Sequence, residues 1–545
     1  MKKNIQDLLT DLVKQALRKK GLDKTLEASV ELDLPSDERF GDFSTNVALQ
    51  LSKALKKSPR DIAEELTQEL NKEKARSKAG QYTREIKIEG AGFINFYLED
   101  SYFLGQLGNL AAKGKVALLQ NIGKNKKVLI EFVSANPTGS LSVAHARQAA
   151  VGDCFGNVLS FLGFKVKKEY YLNDEGNQIE ILGRSVELRM KELTGEKVEF
   201  PENYYQGDYI YDIARKAGSQ KDKITHLGEY AADYILEIIK KELSGFGVRF
   251  DYWYSQKALR ESGKIDRVFK FLRKKDYLYE QDGALWFKST AFGDDKDRVV
   301  VKSDGSYTYL APDIAYHEDK YRRGFQWLIN LWGPDHHGYI NRIKAAVQAL
   351  GYPVDSLSIV IVQLATIYRD GKPVQMSTRK GQYITLQEVL DEVGKDASRF
   401  FFLMRRTNSH LDFDLNTAKK ETSENPVYYV QYAHARICSI LRSQGTRLPR
   451  KVNLSLLKEV EELALTKKTL RFPVILRMCF AMQDPFMLTV YLQELAETFH
   501  KFYDRHRVLT GDNELTSARL ILIEAVRIVL GAGLELMNVS APEKM

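Results

Sequence analysis

The sequence predicts an α/β protein built on a doubly wound, Rossmann-type parallel sheet, with an α+β domain before it and an all-α helical bundle after it. Two strand–helix–strand patterns, separated by about 170 residues, predict the sheet. Alternating strands near the N-terminus predict the first domain, and amphipathic helices beyond about residue 395 predict the last. The predicted domains are 1–112, 113–395 and 396–545, with an insertion into the sheet domain at about 196–295.

Composition indicates a globular protein without a membrane segment. Of the 545 residues, 44% are hydrophobic and 28% are charged, which is enough apolar material for several cores. No apolar stretch approaches the roughly 20 residues of a membrane-spanning helix, and Asp7 and Asp11 break any apolar run typical of a targeting peptide. The cysteines Cys154, Cys438 and Cys479 lie far apart, so we expect reduced, buried thiols and a cytoplasmic protein.

The net charge of +9 allows two interpretations. A solvated basic surface, common among small-molecule enzymes, explains it. A polyanionic partner such as nucleic acid explains it equally well.

Local signals predict the elements of the first domain. Residues 58–70 form a helix pattern with Ser58 as N-cap and Pro59 at the first helical position. The run "REIKIEGAGFINFYL" alternates apolar and polar residues and predicts two strands around a glycine turn.

Two βαβ units predict the central sheet. In the first, the strand "KVLIEFVS" precedes a helix that starts near His145 and ends at Gly163, and "FKVKKEYYL" is the next strand. In the second, the strand "QWLINLW" and the turn "GPDHHG" precede a helix ended by Gly351, and "LSIVIVQL" follows. Beyond about residue 395 the strand signals end. One helix there carries an apolar stripe of Leu488, Leu492, Leu495, Phe499 and Phe502.

The turn from Ser134 to Asp153 is the first candidate binding site. In a parallel sheet, ligands bind beyond the carboxyl ends of the strands, and a helix N-terminus there suits a phosphate. His145 and Ser142 can donate to a phosphate, whereas Glu131 and Asn136 can hold a cationic or amino group. Taken alone, this stretch is equally an ordinary strand–helix turn with a satisfied histidine.

Three further segments carry polar side chains suited to the same crevice. "GPDHHG" offers no helpful spacing for zinc, so we interpret it as a turn that lines the crevice. Tyr309 and Asp313 lie four residues apart and suit a buried cation, although Asp313 is also a plausible N-cap. The loop "VQMSTRKGQYITL", with Arg379 and Lys380, could close over a polyphosphate or could be a surface loop.

Taken in order, these segments resemble a known family. "ANPTGSLSVAH" resembles the first motif of class I aminoacyl-tRNA synthetases, which ends His-x-Gly-His, and "VQMSTRKG" resembles the second, Lys-Met-Ser-Lys. The flanking segments resemble bacterial arginyl-tRNA synthetases over essentially the whole chain: "ERFGDFSTNVALQL", "GPDHHGY", "SHLDFDL", "NPVYYVQYAHARICSI" and the C-terminal "SAPEKM".

The resemblance implies an arginine–tRNA ligase reaction. Arginine and ATP give arginyl-adenylate and pyrophosphate, and the arginyl group then passes to tRNA(Arg); activation in this family usually requires bound tRNA. The implied catalytic residues are His145, Ser142, Arg379 and Lys380, and the implied ATP contacts are Ser142, Ala144, His145, Gly333, Met376 and Ser377. The implied arginine contacts are Glu131, Asn136, Tyr309, Asp313 and His337, and the implied tRNA contacts are Tyr428, Tyr432 and Arg436.

The sequence departs from the family at both motifs. Ser142 replaces the first histidine, Ala144 replaces the glycine, and the second motif lacks both lysines. We expect an active enzyme in which the helix N-terminus, the Ser142 hydroxyl and Arg379 or Lys380 compensate. The alternatives are a class I synthetase for another amino acid and a catalytically weak or silent tRNA-binding paralogue.

The resemblance also sets expectations for ligands and partners. We expect ATP as a substrate together with Mg²⁺, and no structural metal. The expected partners are tRNA(Arg) and L-arginine, with no DNA and no membrane. We expect a monomer.

Overall fold

The computed structural model of the chain describes residues 4–21, 30–35, 37–220, 224–374, 383–445 and 451–545. The chain divides into two compact units. The first comprises Met1–Lys113, Leu448–Leu470 and Arg507–Leu522, and the second comprises Gly114–Arg447, Arg471–His506 and Ile523–Met545. The three-domain division at 112 and 395 stays a prediction.

The strands, numbered along the chain, are β1 Phe43–Thr45, β2 Thr83–Glu89, β3 Phe93–Leu98, β4 Lys127–Glu131, β5 Lys165–Leu172, β6 Tyr252–Ser255, β7 Leu278–Gln281, β8 Ala284–Phe287, β9 Arg298–Val301, β10 Trp327–Trp332, β11 Leu357–Ile361, β12 Ala365–Arg369, β13 Lys372–Pro373 and β14 Leu411–Asp414.

The helices are α1 Ile5–Lys19, α2 Val47–Leu55, α3 Pro59–Lys74, α4 Asp100–Lys113, α5 Val143–Phe161, α6 Asn177–Leu193, α7 Tyr209–Gly218, α8 Leu227–Gly245, α9 Gln256–Glu261, α10 Lys264–Lys274, α11 Leu310–Arg322, α12 Ile340–Ala349, α13 Leu386–Phe402, α14 Leu415–Ala418, α15 Pro426–Ser443, α16 Val460–Leu470, α17 Phe472–Met482, α18 Phe486–Arg505 and α19 Asn513–Leu536.

The first unit is built on a small antiparallel sheet. Its strand order is β1-β3-β2, and β2 and β3 are the two strands predicted around a glycine turn. Helix α3 begins as predicted, because the Asp61 N–H donates to the Ser58 hydroxyl at 3.1 Å and Pro59 follows the cap.

The second unit is built on a five-stranded sheet of order β11-β10-β4-β5-β6, in which every neighbouring pair is parallel. Both predicted βαβ units are confirmed. β4 is the central strand, and Val128, Leu129 and Ile130 are buried in it, which explains its continuous apolar run. The register places Glu131 beside Asn330 on one neighbour and Glu169 on the other. A row of polar side chains therefore crosses three strands at the carboxyl end of β4.

Two smaller sheets flank this arrangement. One is antiparallel, in the order β7-β8-β9. In the other, β12 pairs antiparallel with β13 and parallel with β14. Strand β14 corrects the prediction that strands end at about residue 395. It has only four residues and is ordered by pairing with β12, so its local alternation is too short to register as a strand signal.

The remainder of the C-terminal region is helical, as predicted. Helix α18 buries its predicted stripe, formed by Leu488, Leu492, Leu495, Phe499 and Phe502. The cysteines Cys154, Cys438 and Cys479 are unpaired and buried. Of the helices in the described ranges, none combines the length and apolar character needed to span a bilayer.

Candidate active site

The strained turn that follows β4 carries the first group of polar side chains. Val133 and Ser134 have φ values of 68° and 41°, a left-handed conformation that costs on the order of 1–3 kcal/mol for a non-glycine residue. The Ser134 hydroxyl holds the turn, since it donates to Glu131 Oε1 at 3.2 Å and accepts the Tyr171 N–H at 3.1 Å. Backbone strain of this kind concentrates at functional sites.

Two tyrosines from distant parts of the chain clamp the next stretch of backbone. The Tyr209 hydroxyl donates to the Thr138 carbonyl at 2.6 Å, and the Tyr383 hydroxyl donates to the Ser140 carbonyl at 2.8 Å. Between these contacts a side-chain carbon on Gly139 would lie 3.1 Å from the Tyr383 oxygen and 3.3 Å from the Tyr209 oxygen. The turn therefore has little room for anything larger than glycine.

The backbone of Leu141 is held on both sides. Its N–H donates to Glu242 Oε2 at 3.0 Å, and its carbonyl accepts the Leu386 N–H at 2.7 Å. Burial raises the pKa of Glu242. Ser142 also forms an isolated antiparallel bridge with Thr385, so the start of α13 runs beside the start of α5.

His145 and Ser142 bind each other at the start of α5. The Ser142 N–H donates to His145 Nδ1 at 3.2 Å, and the Ser142 hydroxyl lies 3.1 Å from the same nitrogen. A backbone N–H can only donate, so Nδ1 is an acceptor and the proton of the neutral ring is on Nε2. Burial lowers the pKa of His145 to about 4, which keeps the ring neutral at pH 7. His145 is thus a neutral Nε2–H donor at a helix N-terminus.

A buried lysine neutralises Glu131. Lys320 Nζ donates to Glu131 Oε2 at 2.5 Å and to Asn330 Oδ1 at 3.2 Å. Burial alone would raise the pKa of Glu131, but the attraction and hydrogen bond of Lys320 outweigh it and lower the pKa. Glu131 therefore stays ionised although it is only 7% exposed.

Asp313, in the first turn of α11, is the least compensated carboxylate of the site. The Tyr339 hydroxyl donates to its Oδ2 at 2.7 Å. Within the described residues no other side chain donates to this carboxylate. Burial raises its pKa to about 6, against the lowering effect of Tyr339. Asp313 is half-buried, and a partly desolvated, weakly paired carboxylate is suited to a cationic ligand.

The backbone near Asp313 is tied to the central sheet through a histidine. His317 Nδ1 lies 2.8 Å from the Asp313 carbonyl oxygen, and its Nε2 lies 2.9 Å from the Asn330 amide nitrogen. Since the carbonyl can only accept and the amide nitrogen can only donate, Nδ1 carries the proton. Burial lowers the pKa of His317 to about 3, so its ring is neutral.

The structure separates two predicted arginine contacts from this cluster. Tyr309 is 86% exposed, and the hydroxyl that meets Asp313 belongs to Tyr339 instead. The first turn of α11 thus does not bring the Tyr309 hydroxyl to Asp313, and the arginine contact of Tyr309 stays a prediction. His337 is also exposed, in the turn that leads to Tyr339.

The structure also describes the predicted site residues Asn136, Ala144 and Gly333. The Asn136 side chain accepts from Asn173 and donates to Gln178, both at 2.6 Å. Ala144 is half-buried in the first turn of α5, and Gly333 is half-buried after β10. The four predicted loop residues lie outside the described residues: Met376, Ser377, Arg379 and Lys380.

The predicted tRNA contacts form one aromatic face on α15. The rings of Tyr428 and Tyr432 stack at a centroid distance of 6.2 Å. The Arg436 guanidinium lies 4.7 Å from the Tyr432 ring and 4.8 Å from the Tyr503 ring. These side chains are half-buried, so part of each ring and of the guanidinium group is accessible. Such a surface is of the kind on which unstacked bases can stack.

Sequence reasoning missed Lys320 and Tyr339. Lys320 had a signal, since it lies seven residues after Asp313 and so on the same face of a helix. Tyr339 had a weaker one, as the residue that ends the "GPDHHGY" motif.

In the described part of the chain, no group of three or more histidine, cysteine, aspartate or glutamate side chains could hold a metal ion.

Three family models match successive parts of the chain. The model described as "Arginyl tRNA synthetase N terminal domain" matches residues 7–98. The model described as "tRNA synthetases class I (R), catalytic domain" matches residues 107–438, and "DALR anticodon binding domain" matches residues 430–545.

Similar proteins match over nearly the full length. The chain is 48% identical over 533 residues to a protein of Citrifermentans bemidjiense named arginine–tRNA ligase, which covers 95% of both chains. It is 44% identical over 556 residues to the Bacillus subtilis protein of the same name, which covers 99% of both. The solved structure of Thermus thermophilus arginyl-tRNA synthetase has a TM-score of 0.80 and 22% identity, covering 99% of this chain and 100% of that chain. This last likeness shows the shared fold.

Proposed function

The chain belongs to the arginyl-tRNA synthetase family, and from this premise we propose how its own residues bind arginine, ATP and tRNA. Its activity is that of an arginine–tRNA ligase: arginine and ATP form arginyl-adenylate and pyrophosphate, and the arginyl group then passes to tRNA(Arg). Neither the relatives nor the family models favour the alternative of a silent paralogue. The observation that carries the substrate assignment within the site is the half-buried carboxylate of Asp313, which no cation pairs with in the described residues.

Asp313 receives the arginine guanidinium. The planar, permanently charged guanidinium can donate two parallel hydrogen bonds to one carboxylate. Tyr339 occupies one lone pair of Oδ2 and orients the carboxylate. A neutral amino acid would cover Asp313 without supplying a cation, and this penalty discriminates against it.

Glu131 and Asn136 bind the other end of arginine. Lys320 and Ser134 each occupy one oxygen of Glu131, so each oxygen keeps a lone pair for the α-amino group. Asn136 is held by Asn173 and Gln178, which fix its amide in the strained turn. His337, Tyr309 and Gly333 remain proposed contacts at the edge of the pocket.

The start of α5 holds the phosphates of ATP. The arginine carboxylate attacks the α-phosphorus in line, the bond to the bridging oxygen breaks, and pyrophosphate leaves. His145 donates its Nε2 proton in a hydrogen bond to a phosphate oxygen and stabilises the charge that develops there. The helix N-terminus supplies further positive potential, and Ala144 contacts the nucleotide at the same turn.

The altered motifs are compensated in two ways. Ser142 cannot replace the charge of an imidazolium, but it caps α5 and fixes the tautomer of His145. The positive charge is supplied by Arg379 or Lys380, in a segment where Met376 and Ser377 also contact the triphosphate. ATP enters with Mg²⁺ as its substrate complex.

The aromatic face of Tyr428, Tyr432 and Arg436 binds anticodon bases by stacking. The basic net charge of +9 favours the tRNA backbone. We further propose a cytoplasmic monomer that binds neither DNA nor membranes.

ATP–pyrophosphate exchange tests the proposed activity. We expect exchange with L-arginine in the presence of tRNA(Arg), and far less without it. Exchange driven by a different amino acid would overturn the substrate assignment, and absence of exchange with both tRNA(Arg) and arginine would overturn the activity.

A further inference from the structure

Lys320 is the most completely buried lysine near the proposed arginine site, with 0% exposure. Its ammonium group donates to Glu131 Oε2 and to Asn330 Oδ1. It also lies 4.1 Å from the centre of the Tyr316 ring. Moving an ammonium group out of water costs free energy, and pairing offsets this cost only in part. We therefore expect a buried lysine at this position to serve a function.

Helix α11 connects Lys320 to the guanidinium end of the pocket. Asp313 and Lys320 are seven residues apart, which is about two turns and about 10 Å along the axis. The same helix therefore contributes the proposed guanidinium ligand at one end and the partner of Glu131 at the other. Glu131 itself belongs to β4, 189 residues away in the chain.

The charges of the pocket add up to the opposite of the net charge of arginine. Glu131 contributes one negative charge, Lys320 one positive charge, and ionised Asp313 one negative charge. The sum is one negative charge. Arginine carries a guanidinium, an ammonium and a carboxylate group, so its net charge is one positive unit. Without Lys320 the pocket would carry two negative charges against it.

Other charged groups near this face of α11 do not disturb that balance. Glu169 is fully buried and takes two hydrogen bonds from Arg323. Tyr171, Tyr254 and Tyr339 face the helix from β5, β6 and the turn after β10, and Tyr316 lies on the helix itself. Burial raises the pKa of each of these tyrosines, and His317 is neutral. Between pH 5 and 8, Asp313 is the group in this set whose charge changes.

We propose that Lys320 is a positioning residue of the arginine site, which holds Glu131 in place and sets the net charge of the pocket to match the single net positive charge of arginine. This inference rests on the proposed function, because it assumes that arginine binds at Asp313. Lys320 does not touch the substrate and acts through Glu131.

The charge balance predicts opposite shifts in the pH of proton uptake for variants of Lys320 and of Glu131. In Lys320→Met the carboxylates of Glu131 and Asp313 share the pocket without the compensating ammonium group, so proton uptake by the pair moves to higher pH. In Glu131→Gln the positive charge of Lys320 is uncompensated, and it favours ionised Asp313. In the double variant both charges are absent and the sum is unchanged.

The experiment is the pH dependence of kcat/KM for L-arginine in pyrophosphate exchange with tRNA(Arg), since this ratio reports groups of the free enzyme. The wild type should lose activity as the pH falls through about 6, where Asp313 takes up its proton. The midpoint should move up by about one pH unit in Lys320→Met and down in Glu131→Gln. The double variant should stay within a few tenths of a unit of the wild type.

Lys264→Met is the matched control. Lys264 also pairs with a buried carboxylate, that of Asp319 at 2.8 Å, and it is not among the main groups that shift the pKa of Asp313. Its midpoint should equal that of the wild type. Should Lys320→Met fail to fold, Glu131→Gln and the double variant still test the opposite shift and its cancellation.

Two results are distinguishable. If Asp313→Asn leaves kcat/KM for arginine unchanged, the proposed site is wrong. If Asp313→Asn lowers kcat/KM but the midpoints of the Lys320 and Glu131 variants do not move, or move the same way, the site stands and the role of Lys320 is overturned.

Discussion

The ring of His145 accepts the backbone N–H of Ser142 at 3.2 Å, so its free Nε2 carries the proton. This contact uses the Ser142 backbone, which any residue provides. The altered first motif therefore keeps the part of its geometry that orients the phosphate donor. The serine hydroxyl, 3.1 Å from the same nitrogen, is a second and weaker restraint.

Replacement of His145 by alanine should lower kcat for pyrophosphate exchange by about 10²–10³, because a preorganised donor to the developing charge is lost. Ser142→Ala keeps the backbone contact and should cost less than about tenfold. Steady-state kinetics with saturating arginine and ATP compare the two. An equal loss in both variants would show that the Ser142 hydroxyl itself contacts the phosphate.

Replacement of Asp313 by asparagine should raise the arginine KM by about 10²-fold and leave the ATP KM nearly unchanged, because the charge-assisted contact to the guanidinium is lost. Kinetics of pyrophosphate exchange, with arginine and ATP varied in turn, measure both constants. Asp212→Asn is the matched control, since Asp212 pairs with Arg215 at the surface with 61% side-chain exposure. A similar rise in both constants would indicate general damage instead.

The same variant should stabilise the protein in the absence of arginine. Burial raises the folded-state pKa of Asp313 from 3.8 to about 6, so ionisation of this group at pH 7 destabilises the native state by on the order of 3 kcal/mol. This cost is relieved progressively as the pH falls from about 6 to 3.8 and the carboxyl of the native state is protonated. Thermal unfolding at pH 7 should therefore give a higher Tm for Asp313→Asn than for the wild type. A lower Tm would show that the carboxylate is better compensated than the structure indicates.

Replacement of Tyr339 by phenylalanine should shift the acid limb of kcat/KM for arginine to higher pH. The Tyr339 hydroxyl donates to Asp313 and lowers its pKa, so its removal lets the pKa rise above about 6. The profile between pH 5 and 8 measures the shift. Tyr307→Phe is the control, because it removes a comparable hydrogen bond to Asp266 at 3.1 Å on an exposed surface. An unmoved limb in Tyr339→Phe would contradict the assigned contact.

Replacement of Gly139 by alanine should raise the ATP KM by roughly tenfold, because the added carbon meets the Tyr209 and Tyr383 hydroxyls and displaces the turn before α5. The arginine KM should change less. Gly105→Ala is the control, since nothing lies within 4 Å of the added carbon there. An ATP KM unchanged in Gly139→Ala would show that the turn adapts without affecting the nucleotide.

Most of the secondary structure could be predicted from the sequence, because hydrophobic periodicity reports burial directly. The apolar run before Glu131 predicted a buried parallel strand, and the stripe on α18 predicted its packed face. Strand β14 escaped prediction because four residues carry too little periodicity, and its pairing with β12 supplies the missing order.

The sequence predicted the main residues of the candidate site, but not all the side chains that contact them. Asp313, Glu131 and His145 are named by local patterns and by resemblance to the family. The hydroxyl beside Asp313 was expected from Tyr309, four residues before it, but it comes from Tyr339, 26 residues after it. Sequence spacing says which residues share a helix face, and it does not say which residue of another element meets that face.

By itself the sequence determined the elements, the family and the chemical character of the turn after β4. Only the tertiary structure decided that Lys320 pairs with Glu131 and that Tyr339 orients Asp313. The physical reason is the sequence separation over which each interaction acts. Burial periodicity and helix caps act over a few residues, whereas charge pairing inside the pocket depends on the register of parallel strands and the packing of α11, which join residues up to 189 positions apart.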